Sequence, residues 1–355
     1  MRLCPSAETR HPETTVAARK KAERATIRTV AEDAGVSVAA VSKVLREAYG
    51  VSESLKARVQ ASIARLGYRP HAAARGMRGQ TYTIGVLLND LRNPFMPDIL
   101  DGLNTALART QYQALIGVSQ AMVPIETALV DAMVDRQMDG IIVIGPRMSP
   151  VEIAAVAARI PTVTIAHHEP DATAFDTVNN DDVLGAKLVV RHLVERGYRN
   201  IAMLSMDLPG LGETVVISPR EVGYRAAMEE AGLDRHINII AAPETGREVR
   251  TVAQHLMQQR NRPEAIFCWS DYFAFDVLSV AKELGVAVPK DVAVVGYDNS
   301  SYCDLAQNSL TSIDQSGQLL GLQAARLLIE RIKGREKAEH FLVTPRLVER
   351  GSTQR

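Results

Sequence analysis

The chain has 355 residues, of which 46% are hydrophobic and 23% charged, and its formal net charge is zero. This length suits two or three domains rather than one small one. The absence of any run of about 18 apolar residues excludes a membrane-spanning helix. The three cysteines show no CxxC spacing, which favours reduced thiols in a cytoplasmic protein.

Residues 1–25 are polar and lack the apolar stretch of a secretory signal peptide, so we expect a disordered tail. The zero net charge hides an uneven distribution further along the chain. Residues 26–79 contain nine Lys or Arg and four Asp or Glu, whereas residues 80–355 contain 26 basic and 34 acidic residues. A basic segment on an acidic body predicts a polyanionic partner for that segment. An ordinary solvated charged surface is the alternative.

The first part of the basic segment predicts two short helices joined by a sharp turn. Ile27, Val30 and Ala31 recur at helical spacing, and Gly35 then supplies a residue free of Cβ strain. Ser37 stands where a second helix needs an N-cap oxygen. This pattern is typical of a helix-turn-helix, whose second helix fits the DNA major groove.

A third amphipathic helix, opened by Ser52, is expected to cover the apolar faces of the first two. Pro70 cannot continue that helix. Residues 72–78 follow as an Ala-rich segment with two arginines, which is too short to form a stable helix alone in water.

The run VAEDAGVS…VSKVL, followed by Val51-Ser52 and then by LGYRPHAAARGMRG, resembles the headpiece and hinge of the lactose-repressor/galactose-repressor family of bacterial transcription regulators. The resemblance continues over roughly residues 26–351. It implies a DNA-binding headpiece at residues 26–70, a hinge at residues 71–80, and an effector-binding and dimerisation core at residues 81–355.

From residue 81 onward, Val- and Ile-rich runs of strand length alternate with amphipathic helical stretches. Strands are expected at 82–88, 114–118, 140–145, 161–166, 200–204, 237–240, 265–269, 292–297 and within 341–350. Helices are expected at 96–109, 125–137, 151–158, 182–196, 220–231, 248–259 and 271–284. Such alternation predicts an α/β fold with two doubly wound parallel sheets and a ligand cleft between them.

The resemblance specifies the two-lobed fold of periplasmic sugar-binding proteins, in which the chain crosses between lobes more than once. It implies a first lobe made of about residues 81–176 and 311–340. The second lobe then takes about residues 177–310 and 341–355. Helix 96–109 and the segment around residues 271–285 are implied to form the face between two subunits of a homodimer.

Correspondence with the family's motif positions implies which headpiece residues meet DNA. Val38, Ala39 and Lys43 are expected to face base edges: Ala39 suits contact with a thymine methyl group, and Lys43 can donate to guanine. Thr26 and Ser42 are expected to meet phosphates. Simple packing is the alternative for Val38, and a solvated surface position is the alternative for Ser42 and Lys43.

In the hinge, the resemblance implies a helix that forms only when two copies meet in the minor groove. Met77 takes the position of an apolar wedge that opens a base step, and Ala74 must be small for close approach. An imperfectly palindromic operator is therefore expected as the DNA partner.

In the core, the resemblance implies effector contacts near strand ends. The expected residues are Asn93, Phe95, Arg220, Trp269, Ser270 and Asp298. Asp298 suits vicinal hydroxyls, and a turn-forming role is its alternative. Arg220 suits hydroxyls or a carboxylate, and a surface ion pair is its alternative. Trp269 either stacks on the ligand or belongs to the core, and Asp271 is expected to cap its helix.

These features predict a repressor of carbohydrate-utilisation genes that a sugar or sugar acid releases from DNA. A corepressor that tightens binding, an enzyme with a DNA-binding head, and a solute-binding transport protein are the alternatives. No phosphate-binding loop or GxSxG motif occurs, so no cofactor or catalytic residue is expected. The pair His167-His168 with Asp171 could suggest a metal site. Adjacent histidines point in different directions on a strand or loop and no third ligand is evident, so no metal site is expected.

Overall fold

The computed structural model of the protein describes residues 25–45, 48–68, 80–207, 218–243 and 246–354. The chain divides into two compact units, with the boundary between Arg75 and Gly76. Nearly all of the expected tail and hinge lies outside the described residues, as do Ala74 and Met77.

The N-terminal unit contains α1 (Ile27–Ala34), α2 (Val38–Leu45) and α3 (Glu53–Leu66). Thr26 and Thr29 form a reciprocal capping box at the start of α1, which satisfies backbone N–H groups that have no partner inside the helix. Gly35 ends α1 with a φ of 62°, a conformation that costs glycine little. These local signals confirm the helix-turn-helix that the sequence predicts.

The second and third helices of this unit have their own caps and share one core. The Ser37 hydroxyl accepts from the Ala40 amide at 3.1 Å. Ser52 likewise caps α3. Val30, Val41 and Val59, one from each helix, are fully buried together. Their burial in one cluster holds the three short helices in place, because none is long enough to be stable alone.

The C-terminal unit is built on two six-stranded sheets, as the expected α/β fold requires. The first sheet has the order β11-β5-β4-β3-β1-β2, and all its strands are parallel. Its strands are β1 (Thr83–Leu88), β2 (Gln113–Val118), β3 (Gly140–Ile144), β4 (Thr162–Ile165), β5 (Asp176–Asn180) and β11 (His340–Val343).

The second sheet has the order β12-β10-β9-β8-β6-β7, with only β12 antiparallel to its neighbour. Its strands are β6 (Ile201–Met206), β7 (Asn238–Ala242), β8 (Ala265–Cys268), β9 (Ala293–Asp298), β10 (Thr311–Asp314) and β12 (Arg346–Val348). The central strands β8 and β9 are buried along their whole length, as expected for parallel strands covered on both faces.

Helices cover both sheets. They are α4 (Met96–Leu107), α5 (Val123–Asp135), α6 (Pro150–Ala157), α7 (Asp182–Glu195), α8 (Pro219–Glu230), α9 (Gly246–Gln258), α10 (Asp271–Glu283) and α11 (Gly317–Ile332). Helix α11 packs closely on α4 in the first lobe, and α7 packs on α8 in the second. Gly321 permits the first contact, because a Cβ there would lie 1.9 Å from the Ile99 carbonyl oxygen.

The chain crosses between the lobes at positions that differ from those expected. Residues 176–180 form β5 of the first sheet, so the second lobe starts with α7 instead of at residue 177. The segment at 311–314 pairs with β9 in the second sheet, so the return to the first lobe begins with α11. The final stretch is split, since β11 joins the first sheet and β12 the second. Strands pair through backbone groups, and the side-chain pattern of these short segments does not specify which strand each will pair with.

Among the described residues, none of the helices has both the length and the apolar character needed to cross a bilayer.

Candidate functional site

The two lobes enclose a cleft of about 540 Å³ at the carboxyl ends of their strands. Its lining includes Asn89 after β1, Asn180 at the end of β5, Met206 at the end of β6 and Gln315 after β10. Ligands of doubly wound sheets bind at this edge, where strand ends and helix N-termini converge.

The structure brings all six expected effector residues to this cleft. Asn93, Phe95, Arg220, Trp269, Ser270 and Asp298 all line it. They come from both lobes, so a ligand bound among them would touch the two halves of the core at once.

Arg220 lies in the first turn of α8, and its guanidinium is held by the protein itself. Nε donates to Asp182 Oδ1 at 2.9 Å, and Nη1 donates to the Trp269 carbonyl at 2.5 Å. The guanidinium also lies 3.8 Å from the centre of the Tyr297 ring and 4.6 Å from that of Trp269, which adds cation–π attraction. The Trp269 side chain is half-buried; it packs at the edge of the second-lobe core and also lines the cleft.

Asp182, in the first turn of α7, links this arginine to the other lobe. Its Oδ2 is 3.0 Å from Nε2 of His168, which belongs to the segment after β4. Burial opposes ionisation of Asp182, but the charge of Arg220 and the contact with His168 outweigh it and lower the pKa of the carboxyl to about 2. The carboxylate is therefore charged and paired on both of its oxygens.

Asp298 ends β9 and is only 4% exposed. Its Oδ1 accepts from Gln315 Nε2 at 2.5 Å, whereas Oδ2 has no hydrogen-bond partner among the described residues. Burial raises the pKa of Asp298 well above its ordinary value, and repulsion from the Asp271 carboxylate raises it further. Arg220, Gln315 and Asn93 lower the pKa, but their effect is smaller.

Two further polar atoms of the lining are buried without a partner in the described part of the chain: Asn180 Oδ1 and His167 Nε2. Burial, followed by repulsion from His168, lowers the pKa of His167 to about 4, so its imidazole is neutral at physiological pH. Buried polar atoms without partners are rare in folded proteins and indicate a place for a ligand or water.

The cap of α10 is Ser270 and not Asp271. The Ser270 hydroxyl accepts from the Phe273 amide at 3.3 Å and caps α10. The prediction that Asp271 caps this helix is wrong, because its carboxylate is directed to Ser312, Ser300 and Cys303. A serine at the N-cap position leaves the following aspartate free to reach neighbouring strands.

Sequence reasoning missed Asn180, Asp182, His168 and Gln315. The first two went unnoticed because residues 176–180 were not expected to form a strand. Had β5 been recognised, the polar run that ends it would have stood at a strand carboxyl end like Asp298.

In the N-terminal unit, Val38, Ala39 and Lys43 are exposed on α2, and Thr26 is exposed at the start of α1. Val38 is 41% exposed, which is high for a valine in so small a unit. Ser42 differs from the expectation for a phosphate contact, since only 7% of it is exposed. It shares the inward face of α2 with Val41 and Val44.

Comparison with known protein families identifies both units. The profile of bacterial regulatory proteins of the lacI family matches residues 26–71, and that of the periplasmic binding protein-like domain matches residues 190–353. The chain is 33% identical over 339 residues to the HTH-type transcriptional repressor PurR of Salmonella typhi, covering 92% of this chain and 96% of the relative. The chain belongs to the lacI family of bacterial regulatory proteins.

Other relatives agree with this assignment. PurR of Pectobacterium carotovorum subsp. carotovorum (strain PC1) is 30% identical over 333 residues, which are 92% of this chain and 96% of that protein. As a lacI-family member, the protein is a DNA-binding transcriptional repressor and not an enzyme.

Solved structures of other proteins resemble this chain over most of its length. The complex of the transcriptional regulator CelR with cellobiose is 26% identical, with a TM-score of 0.66, and covers 93% of this chain and 100% of that one. The lac repressor dimer bound to operator and the anti-inducer ONPF has a TM-score of 0.80 over 94% and 100% of the two chains. At 23% identity it shows the shared fold alone.

Proposed function

We propose that this lacI-family repressor binds a palindromic operator as a homodimer and is released from it by a neutral, polyhydroxylated effector of the carbohydrate class. The observation that carries the effector class is Oδ2 of Asp298, which is buried in the cleft and has no hydrogen-bond partner among the described residues. A sugar hydroxyl can supply its missing hydrogen bond. Asn180 Oδ1 is a second acceptor of this kind, so vicinal hydroxyls suit the site.

Arg220 argues against a sugar acid at this end of the cleft. Its charge is already balanced by Asp182 at 2.9 Å, so the pair offers an incoming carboxylate no net positive charge. Phe95 and Trp269 supply the apolar faces on which a sugar ring can stack. The binding of cellobiose by CelR, 26% identical over nearly the whole chain, is consistent with this class.

The second candidate is a flat heterocyclic effector that acts as a corepressor. Four aromatic side chains of the lining favour it, because such rings stack on planar ligands as readily as on sugars. They are Phe95, Trp269, Tyr272 and Phe273. The same two-lobed core can tighten or weaken DNA binding, depending on which conformation the ligand stabilises.

Exposed apolar residues on an edge strand support the homodimer. Leu115 and Ile116 of β2 are 50% and 51% exposed, and β2 is a terminal strand of the first sheet. An exposed apolar edge invites association with other chains, and a second copy that covers it removes this liability. Two identical subunits then place two headpieces on the half-sites of one palindrome.

In the headpiece, the exposed α2 residues Val38, Ala39 and Lys43 are proposed to read base edges, and Thr26 to contact a phosphate. Ser42 keeps its proposed phosphate contact, although only 7% of it is exposed. Ala74 and Met77 keep their proposed minor-groove roles from the family resemblance.

A thermal-shift screen of the full chain tests the effector class. Neutral sugars, sugar acids, nucleobases and nucleosides are compared, because a ligand that binds only the native state raises Tm. We expect a neutral sugar to raise Tm, and Asp298→Asn to abolish the increase. A response restricted to nucleobases or nucleosides would establish the second candidate instead.

The sign of regulation is tested with a palindromic DNA selected from a random pool by the purified protein. The stabilising sugar is expected to weaken binding to this DNA by about 5- to 150-fold, the usual range of such coupling. Unchanged DNA affinity at saturating sugar would contradict release by this effector.

A further inference from the structure

The turn that follows β9 has an unusual backbone. Asp298 has a φ of 119° and Asn299 a φ of 52°, so two successive non-glycine residues lie in a region that side chains disfavour. Such conformations persist only where the surrounding structure fixes them. The turn carries the aspartate proposed to bind the effector, so the contacts that fix it determine where that carboxylate lies.

The side chain that fixes the turn is Asp271, which is fully buried at the start of α10. Its Oδ1 accepts from Ser312 Oγ at 2.6 Å. Its Oδ2 accepts from the Ser300 amide at 2.7 Å and from Cys303 Sγ at 3.0 Å. One carboxylate thus ties together α10, β10 and the segment after Asp298.

Ser312 completes the arrangement from the neighbouring strand β10. Its hydroxyl donates to Asp271 and also accepts from the Asn299 amide at 3.0 Å. The backbone amides of both residues after Asp298 are therefore held, one by Ser312 and the next directly by Asp271. No water needs to take part in this network, because Asp271, Ser300 and Ser312 are all fully buried.

The sequence leaves space for this carboxylate at Gly296 on β9. A Cβ at that position would lie 2.1 Å from Asp271 Oδ1, a distance that real Cβ atoms do not adopt. Asparagine cannot replace Asp271, because an amide has a single acceptor oxygen, whereas Asp271 accepts from donors on both of its oxygens.

We propose that Asp271 and Ser312 are positioning residues for effector binding, which hold the turn so that the free oxygen of Asp298 stays in the cleft. They act on the ligand only through Asp298. This inference rests on the proposed role of Asp298, but the geometry of the turn can be tested without any ligand.

The ligand-free test compares Ser312→Ala with Ser352→Ala in the full chain by hydrogen exchange and mass spectrometry. Ser352 is a matched control in the same lobe: it is 3% exposed, donates to the Val294 carbonyl at 2.6 Å and accepts from the Thr311 amide at 2.9 Å. We expect exchange in the peptide containing Asn299 and Ser300 to become at least about tenfold faster in S312A only. Equal protection of this peptide in wild type, S312A and S352A would overturn the proposal.

A spectroscopic readout follows Asp298 itself. In protein labelled with ¹³C at aspartate carboxyl carbons, the Asp298 signal is assigned by its loss in Asp298→Asn. S312A should shift the titration midpoint of that signal towards the ordinary aspartate range, because the released turn lets water reach the carboxyl group. S352A should leave it in place. Cys303→Ser, which keeps a donor to Asp271, should also leave it in place.

Binding of cellobiose, measured by calorimetry, adds the functional consequence. S312A is expected to weaken it by about tenfold, the equivalent of one hydrogen bond, and S352A by less than about twofold. Equal weakening by S312A and S352A would show a general effect of stability and overturn the positioning role. If wild type does not bind cellobiose, this disaccharide is not its effector. The exchange and carboxyl measurements then decide the role of Asp271 and Ser312, and the thermal-shift screen decides the effector class.

Discussion

Asp182 and Arg220 form an ion pair at 2.9 Å whose side chains are only 11% and 10% exposed. Both stand in the first turns of helices that begin at the cleft, α7 and α8. Each compensates the charge of the other in a place from which water is largely removed, so loss of one partner leaves the other uncompensated.

Asp182→Ala is therefore expected to lower the free energy of unfolding by about 3 kcal/mol or more. Urea unfolding followed by the fluorescence of Trp269, the single tryptophan, measures this in the lobe that contains the pair. Arg191→Ala removes one partner of the exposed Arg191–Glu230 pair in the same lobe and should cost less than about 1 kcal/mol. Similar losses in the two variants would contradict the importance of burial.

We expect His167 to make the folded protein less stable in mild acid. Its pKa is about 4 in the folded protein, compared with 6.5 for an ordinary histidine, so the unfolded chain binds more protons between these values. Stability then falls as the pH is lowered from 6.5 to 4, by about 2 kcal/mol for this group.

Thermal melts from pH 7 to pH 4.5 measure this effect in wild type and in His167→Phe, which keeps a ring near Phe175 but cannot titrate. His167→Phe should lose less stability over this range than wild type. His255→Gln, on the exposed side of α9, should behave as wild type. Parallel pH profiles for wild type and His167→Phe would show that His167 does not cause the loss.

Lys43→Ala is expected to weaken binding to the selected operator by about 10- to 100-fold, because a good lysine–guanine contact contributes about 1–3 kcal/mol. Lys43 is exposed, so Tm should not change. Mobility shifts at fixed salt concentration provide the measurement. Lys56→Ala on α3 is the control, and an equal loss from it would indicate general charge attraction instead of base recognition.

We expect the edge strand β2 to form part of the dimer interface. The double variant Leu115→Glu and Ile116→Glu should convert the dimer to a monomer and weaken operator binding, because buried like charges would face each other across the subunit interface. Light scattering during gel filtration gives the mass of each form. Leu342→Glu, at a 59% exposed position on the opposite edge strand β11, should remain dimeric. A dimeric double variant would exclude β2 from the interface.

The elements with strong local signals could be predicted from the sequence. Thr26, Gly35 and Ser37 specify the helix-turn-helix through caps and a turn, which depend only on nearby residues. The buried strands were visible as apolar runs. The order of strands was not visible, because β11 owes its place to pairing with β5, which is more than a hundred residues away in the chain.

Only part of the candidate site could be predicted, for a similar reason. Asp298 and Arg220 stand in motifs of the family, so each was found singly. Gln315 is 17 residues from its partner Asp298, and Asp182 is 38 residues from its partner Arg220. No local sequence pattern indicates pairs that are so far apart. Asp271 was misassigned because its sequence position suits a cap, whereas its actual partners lie on other elements.

Only Thr344 and Pro345 separate β11 of the first sheet from β12 of the second, and residues 315–316 alone join β10 to α11. Connections this short, one of them stiffened by a proline ring, cannot lengthen enough to let the lobes slide apart. Any opening of the core must therefore be a rotation about the line of these connections. The ends of the lobes that lie far from these connections then move furthest. A small rotation around the bound ligand therefore becomes a large displacement at those ends.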